Sequence, residues 1–201
     1  MHAPLTTAMK MTGIILSGGR STRLGGLNKA FIEVQGERLI ERTLRIYGDL
    51  FAEVLIVTNS PLDYLEFDAK IVTDIIPGKA SLGGIYTGLF FAASEYAFVT
   101  ACDMPFLNAR FIRFMMTKTG HHDIIVPRSA DGPQPLHAIY SRKLIKPIRR
   151  LIDADQLKIT ELLKKHKVLV IPREESLPFD PEERLFMNIN TPEDLEKLAG
   201  R

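Results

Sequence analysis

Gly13–Lys29 reads GIILSGGRSTRLGGLNK, a short apolar run that leads into a loop with four glycines and three cationic residues. The apolar run is typical of a buried β-strand, and the loop begins where that strand should end. Because glycine has no side chain to block a close approach, such a loop can bring backbone N–H groups and positive charge against phosphate. The stretch therefore predicts a nucleotide-binding loop at the end of the first strand of a sheet.

Apolar runs of strand length recur along the chain and alternate with segments of helical periodicity. The predicted strands are Gly13–Leu16, Val54–Thr58, Lys70–Val72, Ala97–Ala101, Ile124–Val126, Leu136–Tyr140, Val168–Ile171 and Arg184–Ile189. The predicted helices are Arg38–Leu50, Leu82–Ser94, Leu107–Lys118, Arg142–Ile152, Ile159–Lys165 and Pro192–Leu198, and Pro172–Pro181 is the one long irregular loop that we expect. This alternation indicates an α/β fold with a mostly parallel sheet that is covered by helices on both faces.

The composition limits the class of protein. The chain has 201 residues, 45% of them hydrophobic and 25% charged, which fits one globular domain with a full-sized core. A formal net charge of +2 is too small to favour a nucleic acid or a membrane as partner. The single cysteine favours a cytoplasmic location, and no apolar run is long enough for a signal peptide or a membrane span. We expect residues 1–11 to form a flexible extension and residues 12–201 a single domain.

Asp103 is the carboxylate best placed to work with the loop. It follows the apolar run Tyr96–Cys102 and is followed by Met104-Pro105, which puts it at the tip of a buried strand. Ligands of parallel sheets bind beyond the carboxyl ends of the strands, where the connecting loops meet. Mg²⁺ prefers one or two carboxylates together with phosphate oxygens, so Asp103 and a bound nucleotide would suffice to hold it.

The glycine-rich loop matches neither the G-x-G-x-x-G nor the G-x-x-x-x-G-K-[ST] phosphate motif. It does offer Gly18 and Gly19 for close backbone approach, and Arg23 and Lys29 as cations that can surround a triphosphate. Nucleotidyl transfer depends on positioning and charge neutralisation more than on a covalent nucleophile. An attacking phosphate that is already ionised needs no general base, so the lack of an evident catalytic triad is expected.

Seven motifs follow one another in a recognisable order. They are L-S-G-G-x-S-x-R-L-G-G-x-N-K from Leu16, then Val57-Thr58-Asn59, Asp74, Leu82-Gly83-Gly84-Ile85, Cys102-Asp103-Met104-Pro105, Gln134-Pro135-Leu136 and Asn188-Ile189-Asn190-Thr191-Pro192-Glu193-Asp194-Leu195. Over about residues 12–199 this order resembles the molybdenum-cofactor guanylyltransferases, a branch of the nucleotidyltransferases. The resemblance implies a single nucleotidyltransferase domain with a three-layer α/β/α, Rossmann-like, mostly parallel sheet of the nucleotide-diphospho-sugar transferase type.

The resemblance also implies a reaction. GTP and a molybdenum-bearing pterin monophosphate would give the guanine dinucleotide cofactor and pyrophosphate, with Mg²⁺ required and with transient contact to proteins of cofactor synthesis or to acceptor proteins. It assigns the nucleotide to Leu16, Ser17, Gly18, Gly19, Lys29, Asn59, Asp74 and Asp103, and the metal to Asp103. It assigns the acceptor to Arg23, Gly26, Gln134, Pro135, Asn188 and Asn190, and catalysis to Arg23, Lys29 and Asp103.

Three positions depart from the pattern of that family. Asn28 stands where aspartate is common, Ala80-Ser81 stands where glycine-proline is common, and His137 stands where an apolar or aromatic residue is usual. The first change removes a negative charge from the loop. The second replaces a stiff turn beside the predicted site, which makes the preference for guanine less secure.

Other interpretations stay open at the level of sequence. Asp103 also fits the cap of a following helix, and Asn59 and Asp74 fit ordinary turn residues. The same chemistry could use CTP, or another phosphorylated acceptor such as a sugar phosphate. A protein that binds a nucleotide as a non-catalytic adaptor would keep the loop without turnover.

Overall fold

The computed structural model describes residues 10–18, 28–191 and 193–194. The strands are β1 (Thr12–Leu16), β2 (Glu33–Val34), β3 (Glu37–Arg38), β4 (Glu53–Val57), β5 (Lys70–Val72), β6 (Tyr96–Ala101), β7 (Ile124–Ser129), β8 (Gly132–Pro133), β9 (His137–Ser141) and β10 (Val168–Ile171). The helices are α1 (Leu39–Gly48), α2 (Ala80–Phe91), α3 (Ala109–Met116), α4 (Ile145–Asp153), α5 (Thr160–Leu163) and α6 (Arg173–Ser176), with 3₁₀ turns at Lys29–Phe31, Pro61–Tyr64 and Arg142–Leu144.

The main sheet has the strand order β10-β7-β9-β6-β1-β4-β5, with β8 paired to β7, and β2 and β3 form a separate two-stranded ribbon. Strand β9 runs antiparallel to β6 and β7, whereas the other neighbours on this path are parallel. The predicted α/β class with a mostly parallel sheet is therefore confirmed.

Strand β1 lies in the middle of the sheet, and all five of its residues are buried. Leu16 pairs with Val57 of β4 on one side and with Ala101 of β6 on the other, so the three strands end at the same level. Backbone hydrogen bonds continue this alignment by one residue, from Ser17 N–H to the Val57 carbonyl and from Cys102 N–H to the Leu16 carbonyl. The loops that follow β1, β4 and β6 consequently meet at one edge.

Side chains of β1 alternate between two apolar cores, one on each face of the sheet. Ile14 and Leu16 belong to a core that includes buried residues of α2, α4 and α5, and Ile15 belongs to a core that includes buried residues of α1 and α3. At Gly13, an added Cβ would lie 2.5 Å from the rings of Tyr47 and Phe51, so only glycine fits there. The two cores give the three α/β/α layers that the sequence predicts.

Helix α3 shows how local sequence sets an element. Asn108 is its N-cap, and the Asn108 side chain accepts hydrogen bonds from the N–H groups of Arg110 and Phe111. Phe111 and Met115, one helical turn apart, are both fully buried. The Asn108 cap therefore sets where this helix begins, and the apolar stripe sets which face is buried.

The predicted strand Arg184–Ile189 is wrong, because the segment has no sheet partner and is irregular. Its apolar residues are buried in two different places: Leu185 lies in the core beside α3, and Ile189 packs with Val34 and Leu39. The Ile189 N–H donates to the carbonyl of Asp103, so the segment crosses the carboxyl edge of the sheet. An apolar run thus indicated burial here but not a strand.

The remaining differences from the predicted elements are small. The expected loop Pro172–Pro181 contains the short helix α6, and the expected helix Arg142–Ile152 is a 3₁₀ turn followed by α4. Thr191 caps the start of the last predicted helix, since its hydroxyl accepts from the Asp194 N–H while the Asp194 carboxylate accepts from the Thr191 N–H. Most of that helix, Pro192–Leu198, lies outside the described residues.

The packed chain includes Met11, which the predicted boundary leaves in the extension. Met11 is 1% exposed, and its carbonyl accepts a hydrogen bond from Ala52 N–H. Residues 1–9 lie outside the described part of the chain. Among the described residues, no helix has both the length and the apolar character needed to cross a membrane.

His137 is fully buried in β9, in a cage of aromatic rings. Its ring lies 5.0 Å from that of Phe98, 5.3 Å from that of Phe186 and 5.9 Å from that of Phe111, measured between centroids. Neither ring nitrogen has a hydrogen-bond partner among the described residues, and burial lowers the pKa of His137 to about 3. The imidazole therefore fills this part of the core as a neutral aromatic ring.

We expect His137 to make the fold sensitive to acid. Its folded pKa of about 3 lies below the unfolded value near 6.5, so between these pH values only the unfolded chain takes up this proton. The contribution of His137 to stability is complete above pH 6.5 and falls by about 1.4 kcal/mol per pH unit below it, or about 2 kcal/mol by pH 5. Urea unfolding at pH 7 and pH 5 measures this loss.

The matched control uses the exposed His121. His137→Phe should reduce the difference in unfolding free energy between pH 7 and pH 5, whereas His121→Ala should not. An unchanged pH dependence in His137→Phe would show that other groups cause it.

Ala80, the first residue of α2, has φ = +48°, in the left-handed region that favours glycine. An L-residue with a Cβ is disfavoured there by about 1 kcal/mol relative to glycine. We therefore expect Ala80→Gly to raise the free energy of unfolding by about 0.5–1 kcal/mol in urea titrations.

Ala109→Gly is the matched control, since Ala109 also begins a helix but has no positive φ. It should lower the unfolding free energy by a few tenths of a kcal/mol, because glycine gains freedom in the unfolded chain. A loss of stability in both variants would contradict the strain that we ascribe to Ala80.

Candidate active site

A cavity of about 690 Å³ lies at the carboxyl edge where β1, β4 and β6 end. It brings together residues that are far apart in the sequence but share the expected role of substrate binding: Leu16, Gly18, Lys29, Asn59, Asp74, Asp103, Asn188 and Asn190. Ala80 and Ser81 also line it, at the start of α2. The N-terminus of a helix carries partial positive charge, so this wall favours an anionic ligand.

Lys29 and Asp103 form the central charged contact of the cavity. The Lys29 Nζ donates to Asp103 Oδ2 at 2.8 Å and to Asn190 Oδ1 at 2.5 Å. The two charged side chains are only 17% and 15% exposed. Lys29 is held by a 3₁₀ turn whose N-cap is Asn28, with the Asn28 Oδ1 accepting from Ala30 N–H. The Lys29 ammonium group, which is carried by the capped turn, therefore contacts two distant parts of the chain. These are Asp103 at the tip of β6 and Asn190 near the end of the described residues.

The second oxygen of Asp103 is available for a cation. Oδ1 is buried and has no hydrogen-bond partner among the described residues. Within residues 10–18, 28–191 and 193–194, no three histidine, cysteine, aspartate or glutamate side chains form a metal-binding group. A single buried carboxylate oxygen fits a Mg²⁺ that takes its other ligands from phosphate and water, as this ion prefers.

Asn59 and Asp74 form a second polar pair in the cavity wall. The Asn59 Nδ2 donates to Asp74 Oδ2 at 2.9 Å, which orients the carboxylate. Asp74 Oδ1 is buried and has no partner in the part of the chain that the structure describes. This oxygen can accept a hydrogen bond from a donor on a ligand.

Cys102 lines the cavity next to Asp103, but its thiol is not a nucleophile. Burial, together with the negative charge of Asp103, raises the pKa of Cys102 to about 12. The thiolate is therefore scarce at neutral pH, and covalent catalysis through sulfur is not favoured.

Three residues predicted for the site, Ser17, Gln134 and Pro135, do not line this cavity. Ser17 does not line the cavity: its hydroxyl lies against that of Tyr64, and its N–H bonds to the Val57 carbonyl. The Gln134 Nε2 donates to Ser129 Oγ at 2.7 Å, and Gln134 lines a separate cavity of about 180 Å³. The Pro135 carbonyl accepts from the Tyr140 hydroxyl, and only the next residue, Leu136, reaches the main cavity.

Three further predicted residues, Gly19, Arg23 and Gly26, lie outside the described residues. Conversely, Ala80 and Ser81 line the cavity, and Tyr64 contacts Ser17 and Asn28 from outside it, although the sequence predicts none of the three as a site residue. For Ala80 and Ser81, the sequence does carry a signal, because this pair departs from the glycine-proline of the resembled motif pattern. Tyr64 carries no sequence signal, since it is a lone aromatic residue in a turn.

Comparison with known proteins identifies the family. Residues 13–169 match the MobA-like NTP transferase domain. A molybdenum cofactor guanylyltransferase from Desulfosudis oleivorans is 40% identical over 191 residues, which span 94% of this chain and 95% of the relative. Another, from Syntrophotalea carbinolica, is 34% identical over 92% of this chain and 89% of the relative.

Solved structures agree with this result. The crystal structure of molybdopterin-guanine dinucleotide biosynthesis protein A from Archaeoglobus fulgidus has a TM-score of 0.82 at 28% identity, covering 94% of this chain and 97% of that one. A 4-diphosphocytidyl-2C-methyl-D-erythritol synthase from Anaerococcus prevotii has a TM-score of 0.68 at 16% identity over 95% of each chain, and shares the fold alone. With its family match over most of its length and these relatives over nearly all of it, the chain belongs to the MobA-like NTP transferase family and is a nucleotidyltransferase.

Proposed function

We propose that this enzyme transfers GMP from GTP to the phosphate of the molybdenum-molybdopterin cofactor, giving the guanine dinucleotide cofactor and pyrophosphate. The observation that carries the proposal is the partly buried Lys29–Asp103 pair, with its unpartnered carboxylate oxygen, in a cavity at the carboxyl edge of the sheet. Relatives that cover nearly the whole chain are named molybdenum cofactor guanylyltransferases, which supports the choice of substrates.

In this proposal the nucleoside of GTP lies against Leu16, Asn59 and Asp74. Guanine carries N–H donors and ribose carries hydroxyl donors, and the buried Asp74 Oδ1 is an acceptor without a protein partner in the described chain. The Asn59–Asp74 hydrogen bond would keep that acceptor in place. No described residue lies within 4 Å of a Cβ built at Gly18, which would let the backbone approach the phosphates.

Lys29 would contact the phosphates of GTP. An ammonium group has three protons, and Asp103 and Asn190 accept two of them, which leaves one for a phosphate oxygen. Because the lysine is already oriented by these two partners, it would neutralise charge at the transferring phosphate with little reorganisation.

Asp103 would hold Mg²⁺ through Oδ1, together with phosphate oxygens of the nucleotide. When bound, the ion supplies charge neutralisation and polarisation of the phosphate groups. The Lys29 hydrogen bond occupies Oδ2 and leaves Oδ1 for the ion.

The acceptor would react without a general base. A phosphate monoester has a second pKa near 6, so at neutral pH its oxygen attacks the α-phosphorus of GTP directly. The new P–O bond forms as the bond from the α-phosphorus to the bridging oxygen breaks, and pyrophosphate takes the electron pair. Asn188 and Asn190 line the cavity and are the proposed acceptor contacts.

Roles for Gly19, Arg23, Gly26, Gln134 and Pro135 at the acceptor, and for Ser17 at the nucleotide, stay predictions from the resemblance. Transient protein partners and the cytoplasmic location also stay predictions.

The choice of nucleotide is tested by pyrophosphate release from GTP, CTP, ATP and UTP, each with Mg²⁺ and the molybdenum pterin acceptor. We expect GTP to give the highest kcat/KM by at least tenfold. A preference for CTP would instead make the enzyme a cytidylyltransferase, and tight GTP binding without product with any acceptor would support an adaptor.

Asp103→Asn tests the proposed metal ligand. The amide keeps the shape of the side chain but removes its charge, so we expect Mg²⁺-dependent pyrophosphate release to fall by about 100- to 1000-fold with little change in melting temperature. Asp153→Asn, which breaks an exposed ion pair with Arg149, is the control and should retain full activity. Activity within tenfold of the unsubstituted enzyme in Asp103→Asn would remove Asp103 from the proposed metal site.

A further inference from the structure

The hydroxyl of Tyr64 joins the two ends of the glycine-rich loop. Tyr64 ends the 3₁₀ turn Pro61–Tyr64 after β4, and its side chain is fully buried. Its hydroxyl oxygen lies 2.5 Å from Ser17 Oγ and accepts a hydrogen bond from Asn28 Nδ2 at 2.9 Å. Ser17 directly precedes residues 18–27, and Asn28 directly follows them.

Each of the two residues that Tyr64 contacts is followed in the sequence by a residue of the cavity wall. Gly18 comes after Ser17, Lys29 comes after Asn28, and both line the cavity. The Tyr64 ring itself is fixed by neighbouring rings, with centroids 5.2 Å away in Phe31 and 6.2 Å away in Phe67. A rigidly packed hydroxyl thus connects two segments that carry site residues.

Asn28 is suited to this position as an amide. Its Nδ2 donates to Tyr64, while its Oδ1 accepts from Ala30 N–H and caps the turn that carries Lys29. The single Tyr64 proton is within reach of Ser17 Oγ, and of Asn28 Oδ1 at 3.2 Å. An aspartate at position 28 has no donor, but its carboxylate could accept the Tyr64 proton, so the connection would persist with the donor reversed.

We propose that Tyr64 is a positioning residue for nucleotide binding, which acts through Asn28 on Lys29 and through Ser17 on Gly18. The inference rests on the proposed function, in which Lys29 and Gly18 meet the phosphates of GTP. A group that is already held in its binding position loses less freedom when GTP binds, so removing its anchor weakens the affinity for GTP. Tyr64 itself does not line the cavity, so its effect on GTP is indirect.

Tyr64→Phe removes the hydroxyl and keeps the packed ring. We expect it to raise the Kd and KM for GTP with Mg²⁺ about 5- to 10-fold, the factor that corresponds to loss of one or two net hydrogen bonds. The change in kcat should be smaller, because Lys29 and Asp103 stay in the cavity. Isothermal titration and pyrophosphate release give the two values.

Tyr96→Phe is the matched control. Tyr96 is 3% exposed, and its hydroxyl also joins two segments, since it donates to the His122 carbonyl and accepts from Gly120 N–H. It begins β6, at the end of the strand opposite Asp103, so its loss should lower the melting temperature without changing GTP affinity. Equal GTP affinities in Tyr64→Phe and Tyr96→Phe would overturn the proposal.

Position 28 provides a second test. Asn28→Ala should weaken GTP binding at least as much as Tyr64→Phe, and Asn28→Asp should restore most of the affinity. In the Asn28→Ala background, Tyr64→Phe should have less than a twofold further effect, because the connection is already broken. A further loss as large as in the unsubstituted enzyme would show that the two residues act independently.

A measurement without substrate separates this inference from the proposed function. Hydrogen–deuterium exchange of a peptide covering residues 28–34 should be faster in Tyr64→Phe than in Tyr96→Phe, since the Lys29 turn loses its anchor. Equal exchange in the two variants would overturn the connection even if GTP proves to be the substrate. Failure of the unsubstituted enzyme to bind GTP would refute the proposed function while this result still stands.

Discussion

The alignment of β1 between β4 and β6 is the constraint on which the site depends. Because the three parallel strands end in register at Leu16, Val57 and Ala101, the residues that follow them emerge at one edge. Backbone hydrogen bonds from Ser17 and Cys102 carry the register one residue past the strands. The apolar cores on both faces make this arrangement rigid, since a shift of one residue would turn every buried side chain of β1 to the opposite face.

The Lys29–Asp103 pair is the main reason to regard this edge of the sheet as a candidate active site. A partly buried pair gains little net stability, because desolvation offsets much of the attraction between the charges. Its value is orientation: Asn190 and Asp103 aim the ammonium group, and the ammonium group occupies one carboxylate oxygen and leaves the other unpartnered among the described residues. Groups arranged in advance in this way suit nucleotidyl transfer, in which charge neutralisation matters more than a nucleophile from the protein.

The three departures from the family pattern have different physical meanings. Asn28 is an amide that donates to Tyr64 and caps the Lys29 turn. Ala80 puts a Cβ at a positive φ in the cavity wall, where glycine would be relaxed. His137 lies away from the cavity and fills an aromatic cage as a neutral ring. Only the first two bear on the site.

The alternation of strands and helices, the loop after β1 and the carboxylate at the tip of β6 can all be predicted from the amino-acid sequence. These features follow from local periodicity and from the rule that loops of parallel strands meet at the carboxyl edge. The sequence also predicted, through the motifs, the family that the comparisons establish. Local pattern failed at Arg184–Ile189, where apolar residues are buried without forming a strand.

Which side chains contact one another follows from the packing of the folded chain. Asn190 contacts Lys29 across 161 positions, Tyr64 reaches Asn28 across 36, and Gln134 bonds to Ser129 instead of entering the main cavity. Such contacts depend on how distant segments pack and on which partner each polar group finds once it is buried. Neither composition nor spacing encodes that choice, because it is made by the whole fold.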